Sequence, residues 1–140
     1  PEVKEFEGEW AEYCEAKYSV GVGSGLDALI LALRSLDVGP GDEVIVPSNT
    51  YIATWMAITA VGAIPVPVEP NPKTYNIDPN IIAESITKKT KVFLLVHLYG
   101  QPANIDPIFK LANQHGIKII EIGTPTSSHP RQKKLSRLRK

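Results

Sequence analysis

Short apolar runs and longer amphipathic stretches follow one another along the chain in a regular order. Runs of β-branched residues between turn residues predict buried strands, whereas apolar residues at helical spacing predict helices packed by one face. The first such pair is a strand predicted over 19–22 and a helix predicted over 26–36. Five apolar residues at helical spacing indicate that this helix is buried along one side: Leu26, Leu29, Ile30, Leu33 and Leu36.

The same alternation continues toward the end of the chain. It predicts further strands over 43–47, 64–68, 91–97 and 117–120, and helices over 51–61, 80–87 and 106–115. Before them, residues 2–16 form a polar helix pattern with Val3, Phe6, Trp10 and Tyr13 on one side, and this helix is expected to dock through the aromatic residues of that side. Strands and helices alternate five times, so we expect an α/β fold with three αβα layers and a mostly parallel sheet.

Proline and polar residues predict the edge position of the strand over 64–68 and the starts of two helices. Pro65 and Pro67 place their strand at an edge of the sheet, because proline lacks the backbone donor that an interior strand needs. The polar residues 48–50 offer caps for the helix that follows them. Asp106 is expected to cap the last helix, with Pro107 in its first turn.

The composition is that of a soluble globular domain with a core of its own. The 140 residues are 43% hydrophobic and 21% charged, and no apolar stretch approaches the length of a membrane span. Residues 1–5 are acidic and polar, so no secretory signal is indicated. Cys14 is the single cysteine and cannot form an internal disulfide, which suits a reducing compartment. A cytoplasmic protein without membrane association is therefore expected.

The net charge of zero hides an uneven distribution of charged residues. Residues 131–140 carry six Lys and Arg and no acidic residue, whereas residues 1–130 hold nine Lys and Arg against 15 acidic residues. A basic tail of this kind can bind nucleic acid or lipid. The body is acidic and offers no basic face to support the tail, so a nucleic-acid role is disfavoured.

The stretch VGVGSGLDAL, residues 20–29, places glycines between the first predicted strand and helix. It is not a dinucleotide-binding turn, because Leu26 stands where the third glycine is required, and no Gly-Lys-Ser/Thr follows to make a P-loop. One interpretation is an anion site, since free N–H groups and the helix dipole favour negative charge at a helix start. The other is a plain turn in which Ser24 caps the helix.

Residues at the carboxyl ends of the predicted strands are the candidates for chemistry, because α/β sheets bind ligands there. Tyr51 could stack on a flat ring or be a core aromatic. His97 could carry a proton or bind a metal, but a single histidine at a strand end is more often a hydrogen-bonded supporting residue. His115 and His129 are not placed to complete a ligand set, so no metal site is expected. No Gly-x-Ser-x-Gly motif occurs, which argues against a serine hydrolase.

Three long stretches carry a family resemblance. They are VGVGSGLDALILALRSLDVGPGDEVIVPSNTYIATW, PVEPNPKTYNIDP and HLYGQPANIDPI. In this order they resemble sugar aminotransferases of the DegT/DnrJ/EryC1/StrS family, which use pyridoxal phosphate (PLP). Within the family, GLDAL, NTYIATW and HLYGQP are similar to enzymes that make dTDP-linked 3-amino-3,6-dideoxyhexoses. The resemblance covers about residues 3–121, roughly the front third of a family member.

The resemblance implies a fold, a cofactor and a set of site residues. It implies part of the large domain of aspartate-aminotransferase-like (fold type I) PLP enzymes. The backbone amides of Gly25 and Leu26 would hold the cofactor phosphate, with Ser24 beside them, and Tyr51 would stack on the pyridine ring. The parent enzyme would work as a homodimer and move an amino group, with glutamate the expected donor, to a 3-keto-6-deoxyhexose nucleotide.

The resemblance ends after Glu121. Family members continue with Asp-Ala-Ala-Gln-Ala-His-Gly, and that Asp pairs with the pyridinium nitrogen, but here Ile122 stands at its position. The family lysine that forms a Schiff base with the cofactor lies further along the chain. Lys133 and Lys134 stand in an unrelated stretch and are not assigned its role.

The expected organisation is therefore a partial large domain over 1–121 and a divergent, basic, disordered tail over 122–140. The sequence predicts a truncated aminotransferase of nucleotide-sugar biosynthesis that is inactive alone, with no catalytic residue assigned. The alternative is a non-catalytic remnant domain that binds a phosphate ligand or a partner chain.

Overall fold

A computed structural model describes residues 1–123, which fall into two compact units. The first unit is Pro1–Gly23, and the described part of the second is residues 24–123. Most of the predicted tail over 122–140 lies outside the described residues. Among residues 1–123, no helix is both long and apolar enough to cross a membrane.

The first unit contains helix α1, Glu2–Tyr13. Its aromatic rings contact one another: Phe6 and Trp10 are stacked with centroids 5.7 Å apart, and Trp10 and Tyr13 are tilted with centroids 5.5 Å apart. Phe6 and Tyr13 are 56% and 46% exposed, and docking of α1 through its aromatic residues stays a prediction. Contact among the rings of Phe6, Trp10 and Tyr13 covers part of the apolar surface of each.

The strand predicted over 19–22 is absent. Among residues 1–123, no strand pairs with this stretch, and Gly21 N donates instead to Glu7 Oε1 at 2.6 Å. Val20 is exposed, although a buried strand requires it to be covered. The apolar run was therefore too short a signal, because a strand forms only with a partner.

The second unit contains the sheet and the helices that cover it. In chain order its elements are α2 (Gly25–Ser35), β1 (Glu43–Pro47), α3 (Ile52–Ala60), β2 (Ile64–Val68), α4 (Pro79–Ser85), β3 (Thr90–Val96), α5 (Ile105–His115) and β4 (Lys118–Ile122). A single 3₁₀ turn, Leu98–Gly100, follows β3. The four described strands are parallel in the order β2-β1-β3-β4. This confirms the predicted α/β class and the edge position of the proline-containing strand β2.

Each face of the sheet carries an apolar core. On the face of α2 and α3, the buried residues are Leu33, Val38, Val44, Val46, Ala57, Ile58, Ala63, Val92, Leu94 and Val96. The alternate residues of the two central strands, among them Ile45 and Phe93, are fully buried on the opposite face. Helices α4 and α5 contact each other, and they contact β2 and β4 respectively. Burial on both faces explains why β1 and β3 are continuous apolar runs in the sequence.

Two helix starts differ from their predictions. Helix α5 begins at Ile105, with Asn104 rather than Asp106 as its N-cap, because Ile105 is buried in the core and joins the first turn. Helix α3 has Tyr51 as its N-cap, without a side-chain cap bond, instead of a residue of the 48–50 segment. Thr50 and Thr54 pair through their hydroxyls at 3.0 Å, so Thr50 does not cap the backbone.

Asp42 stabilises the turn between α2 and β1 through side-chain hydrogen bonds. Its Oδ2 accepts from Gly39 N at 2.9 Å and from Lys91 Nζ at 3.1 Å, which joins the turn to β3. The Gly39 amide, and next the Lys91 ammonium, hold the pKa of Asp42 below its ordinary value. The carboxylate therefore contributes stability above the unfolded-state pKa, and this contribution is lost as pH falls through the lower folded-state pKa.

We expect Asp42→Asn to lower the free energy of unfolding at pH 7 by about 1 kcal/mol, since the pair is partly exposed. The difference from wild type should shrink as pH falls through the folded-state pKa of Asp42. Urea unfolding at several pH values measures it, with Glu84→Gln on exposed α4 surface as the control. A difference that persists unchanged at pH 2 would contradict an ionic origin.

Candidate ligand site at the carboxyl edge of the sheet

The strand order defines where a ligand can bind. From β1 the chain passes to β2 on one side, and from β2 it crosses to β3 on the other side of β1. Open α/β sheets bind ligands in the crevice at such a reversal, beyond the carboxyl ends of the strands. The segments at this point are residues 48–51 after β1 and residues 97–101 after β3.

The N-terminus of α2 lies at the same edge. Helix α2 covers the same face of the sheet as α3, and residues 36–42 join its C-terminus to the start of β1, so its N-terminus is directed toward the carboxyl ends of the strands. Ser24 Oγ accepts from Asp27 N at 3.2 Å and donates to Asp27 Oδ2 at 2.7 Å, which makes Ser24 the N-cap. The turn therefore does contain the cap that the plain interpretation required.

The cap leaves two backbone donors of α2 available. Among residues 1–123, the amides of Gly25 and Leu26 have no protein acceptor, whereas Ala28 N already bonds Ser24 O. A Cβ placed on Gly25 would meet no atom within 4 Å, so the space over this turn is open. The Leu26 side chain packs against the core, which leaves only its N–H for a ligand. This arrangement can accept an anion.

Tyr51 is the N-cap of α3, and its side chain is 78% exposed. The core-aromatic interpretation is therefore wrong. The ring makes no cap bond and stands beyond the end of β1, where it can contact a flat ligand.

His97 is a supporting residue. Its side chain is buried, and its Nδ1 accepts from Ala103 N at 3.1 Å. The ring proton then lies on Nε2, which is 3.3 Å from Glu121 Oε2. Both ring nitrogens are thus engaged, as expected for a hydrogen-bonded histidine, and within residues 1–123 no three His, Cys, Asp or Glu residues group to hold a metal.

Asn49 and Asn76 were missed by the sequence reasoning. Asn49 Nδ2 donates to Tyr75 O at 3.0 Å, and the buried Asn76 bonds the backbone of the 98–101 turn. They join the loops after β1, β2 and β3 at one edge. In the sequence, these residues are marked only as amide side chains near predicted strand ends. The bonds from Asn49 to Tyr75 and from Asn76 to Gln101 join residues that are 26 and 25 positions apart, so no local pattern predicts them.

Residues 1–122 match the DegT/DnrJ/EryC1/StrS aminotransferase family. The dTDP-3-amino-3,4,6-trideoxy-alpha-D-glucose transaminase of Streptomyces venezuelae is 55% identical over 121 residues, which are 86% of this chain and 32% of that relative. The dTDP-3-amino-3,6-dideoxy-alpha-D-galactopyranose transaminase of Aneurinibacillus thermoaerophilus is 56% identical over 120 residues, which are 86% and 33%. The chain thus spans about a third of the length of these curated relatives.

The fold is also similar to that of a solved structure. The crystal structure of NtdA from Bacillus subtilis with bound cofactor PMP superimposes with a TM-score of 0.85 at 41% identity, over 86% of this chain and 28% of that one. The sequence match and the structural match therefore both relate residues 1–122 to sugar aminotransferases of this family and to their fold.

Proposed function

Since the chain belongs to the DegT/DnrJ/EryC1/StrS aminotransferase family, we propose that residues 1–121 are part of the large domain of a PLP-dependent sugar aminotransferase. The role of this part is to hold the cofactor by its phosphate and its ring. The observation that carries the proposal is the open turn of Gly25 and Leu26, whose amides have no acceptor among residues 1–123, at the same edge as the exposed Tyr51.

The phosphate end of the cofactor fits the start of α2. A phosphate there would accept from the amides of Gly25 and Leu26, and the helix dipole would favour its charge. Glycine at position 25 is not required by internal packing, and it leaves room for the phosphate oxygens. Ser24 contributes as the helix cap, since Asp27 already holds its hydroxyl.

Within residues 1–123, the position that pairs with the pyridine nitrogen in the family does not fit that group, because it is occupied by Ile122. A protonated ring nitrogen is what lets PLP act as an electron sink, and it requires a nearby carboxylate. Ile122, at the end of β4, offers only hydrocarbon and packs against the core beneath the sheet edge. We therefore propose binding of the cofactor by this polypeptide and derive no chemical step from it.

The relatives also support a proposal about the activity of a whole family member. We propose transfer of an amino group from glutamate to a 3-keto-6-deoxyhexose nucleotide by a cytoplasmic homodimer. Support comes from the two dTDP-sugar transaminases that match this chain at 55% and 56% identity.

A second candidate is a non-catalytic domain that binds a phosphate ligand or a partner chain. Ile122 favours this candidate. With Ile122 in place of the family aspartate, the groups proposed to bind the phosphate and the ring remain, but the carboxylate that pairs with the pyridine nitrogen is missing at that position.

A titration of the 140-residue polypeptide with PLP tests both candidates. Saturable binding that inorganic phosphate displaces would support the proposed site, and absence of binding at millimolar PLP would contradict it. Amino transfer from glutamate, catalysed by this polypeptide alone, would contradict the non-catalytic assignment.

Tyr51→Ala is expected to weaken PLP binding by about threefold to tenfold, because the exposed ring loses its stacking contact. Tyr51→Phe keeps the ring and should bind PLP as the wild type does. Neither variant should change the free energy of unfolding by more than about 0.5 kcal/mol, since the side chain is outside the core. Isothermal titration calorimetry measures the binding. Equal affinities for all three proteins would show that Tyr51 does not contact the cofactor.

A further inference from the structure

Two tyrosines from separate loops meet at the carboxyl edge of the sheet. Tyr75 belongs to the loop between β2 and α4, and Tyr99 belongs to the 3₁₀ turn after β3. Their ring centroids are 5.9 Å apart and the ring planes are nearly perpendicular, at 88°. Their exposed fractions are 56% and 74%, so most of both rings faces solvent.

Neither burial nor turn geometry explains tyrosine at these positions. Both residues have left-handed backbones, with φ of 57° at Tyr75 and 54° at Tyr99. Such a φ is unfavourable for a bulky side chain and free of strain for glycine. Strained backbones of this kind cluster at ligand clamps and persist where the surrounding structure imposes them.

Two side-chain amides, the buried Asn76 and the exposed Asn49, hold this conformation. Asn76 is 2% exposed, and its Oδ1 accepts from Leu98 N at 3.0 Å while its Nδ2 donates to Gln101 O at 3.1 Å. These two bonds flank Tyr99 and join its turn to the loop of Tyr75. Asn49 Nδ2 holds Tyr75 O at 3.0 Å. The aromatic pair is therefore pre-organised without a ligand.

The position of the pair relates it to the proposed cofactor site. Asn49 stands two residues before Tyr51, so its bond to Tyr75 places the pair next to the loop that carries the proposed stacking ring. Tyr75 lies in the loop after β2 and Tyr99 in the turn after β3, and these two strands lie on either side of β1. The pair therefore lies at the edge of the sheet where the cofactor site is proposed.

A cation stands in the same loop. Lys73 is exposed two residues before Tyr75, and its backbone is fixed by a bond from its N to Asn71 Oδ1 at 3.0 Å. The nearby carboxylate of Asp78 is occupied by Asn80 N and Asn71 Nδ2. Glu69, at the start of the loop, is exposed. A pair of aromatic rings with a lysine two residues away in the same loop matches the two parts of a nucleoside diphosphate, a flat base and a doubly charged diphosphate.

We propose that Tyr75, Tyr99 and Lys73 form a binding site for the nucleoside diphosphate part of the sugar substrate. This proposal rests on the proposed aminotransferase function. The tyrosine rings contact the base, and Lys73 pairs with the diphosphate. Base stacking on aromatic side chains tolerates different bases, so the pair would fix the position of the nucleotide more than its identity.

Binding of dTDP to the 140-residue polypeptide tests the site by calorimetry. Tyr99→Ala is expected to weaken dTDP binding about tenfold, and Tyr99→Phe, which keeps the ring, by less than about twofold. Thermal unfolding should be unchanged in both, because the side chain is mostly exposed. Equal affinity of wild type and Tyr99→Ala for dTDP, or no binding by the wild type at millimolar dTDP, would overturn the proposal.

Separate ligands distinguish the two halves of the site. Tyr99→Ala should weaken thymidine binding and leave pyrophosphate binding unchanged, whereas Lys73→Ala should do the reverse. Lys88→Ala is the matched control, since Lys88 is exposed just before β3 at the opposite edge of the sheet. If Lys73→Ala and Lys88→Ala weaken pyrophosphate binding equally, the assignment of Lys73 is wrong.

Measurements of PLP binding distinguish the proposed nucleotide site from the proposed cofactor site. Tyr99→Ala should leave the PLP dissociation constant unchanged, and a variant of the α2 turn should weaken PLP binding without changing that of dTDP. Loss of PLP binding with intact dTDP binding would overturn the cofactor site alone. Intact PLP binding without dTDP binding would overturn the nucleotide site alone.

Discussion

Gly25→Pro is expected to weaken PLP binding at least about tenfold and to leave the fold no less stable. Gly25 is the first residue of α2, where proline is favoured because the helix makes no use of that N–H. Ser24 already has the extended backbone, φ −155° and ψ 166°, that a residue before proline requires. The substitution thus removes one proposed phosphate donor, while proline restricts the unfolded chain and supports the folded one.

The matched control is Gly25→Ala, which keeps the N–H and adds one methyl group in open space. It should bind PLP more tightly than the proline variant, and both variants should melt at or above the wild-type temperature. Calorimetric titration with PLP and with inorganic phosphate measures the difference. Wild-type affinity in the proline variant would show that the start of α2 does not hold the phosphate.

Phe93→Ala is expected to lower the free energy of unfolding by about 3–5 kcal/mol. Phe93 is fully buried in β3, where its backbone lies between Ile45 of β1 and Ile119 of β4. Truncation leaves a cavity in the core on the α4 and α5 face, and neighbouring strands can close it only partly. The loss is a large share of the stability of a typical domain, so PLP binding should fall with the folded fraction.

Urea unfolding followed by circular dichroism measures this loss. Phe93→Leu, which keeps most of the volume, should lose less than about 1.5 kcal/mol, and Leu31→Ala on the half-exposed side of α2 less than about 1 kcal/mol. Equal midpoints for Phe93→Ala and Leu31→Ala would contradict the burial on which the fold rests.

The apolar pattern alone determined the layers of the second unit. Strands β1 and β3 are short continuous apolar runs, and helices α2 and α5 carry apolar residues at helical spacing, so their type follows from local sequence. The prolines of β2 predicted its edge position for an equally local reason, the missing backbone donors. The cap at Ser24 and the acceptor-free amides after it also depend only on residues within four positions.

Predictions failed where an element depends on distant partners. Residues 19–22 have the apolar pattern of a strand, but no strand within residues 1–123 pairs with them. The start of α5 was shifted by the burial of Ile105. Tyr51 could equally have been a core residue by its local sequence, and only the packing of α3 leaves its ring exposed.

The amino-acid sequence by itself thus determined the class of fold, the family and the turn that is proposed to hold a phosphate, because each depends on residues close together in the chain. Only the tertiary structure decided which side chains share the carboxyl edge. Asn76 reaches Gln101, and Tyr75 meets Tyr99, because the crossover from β2 to β3 brings their loops together on either side of β1. Such contacts span more than 20 residues, and no local pattern encodes them.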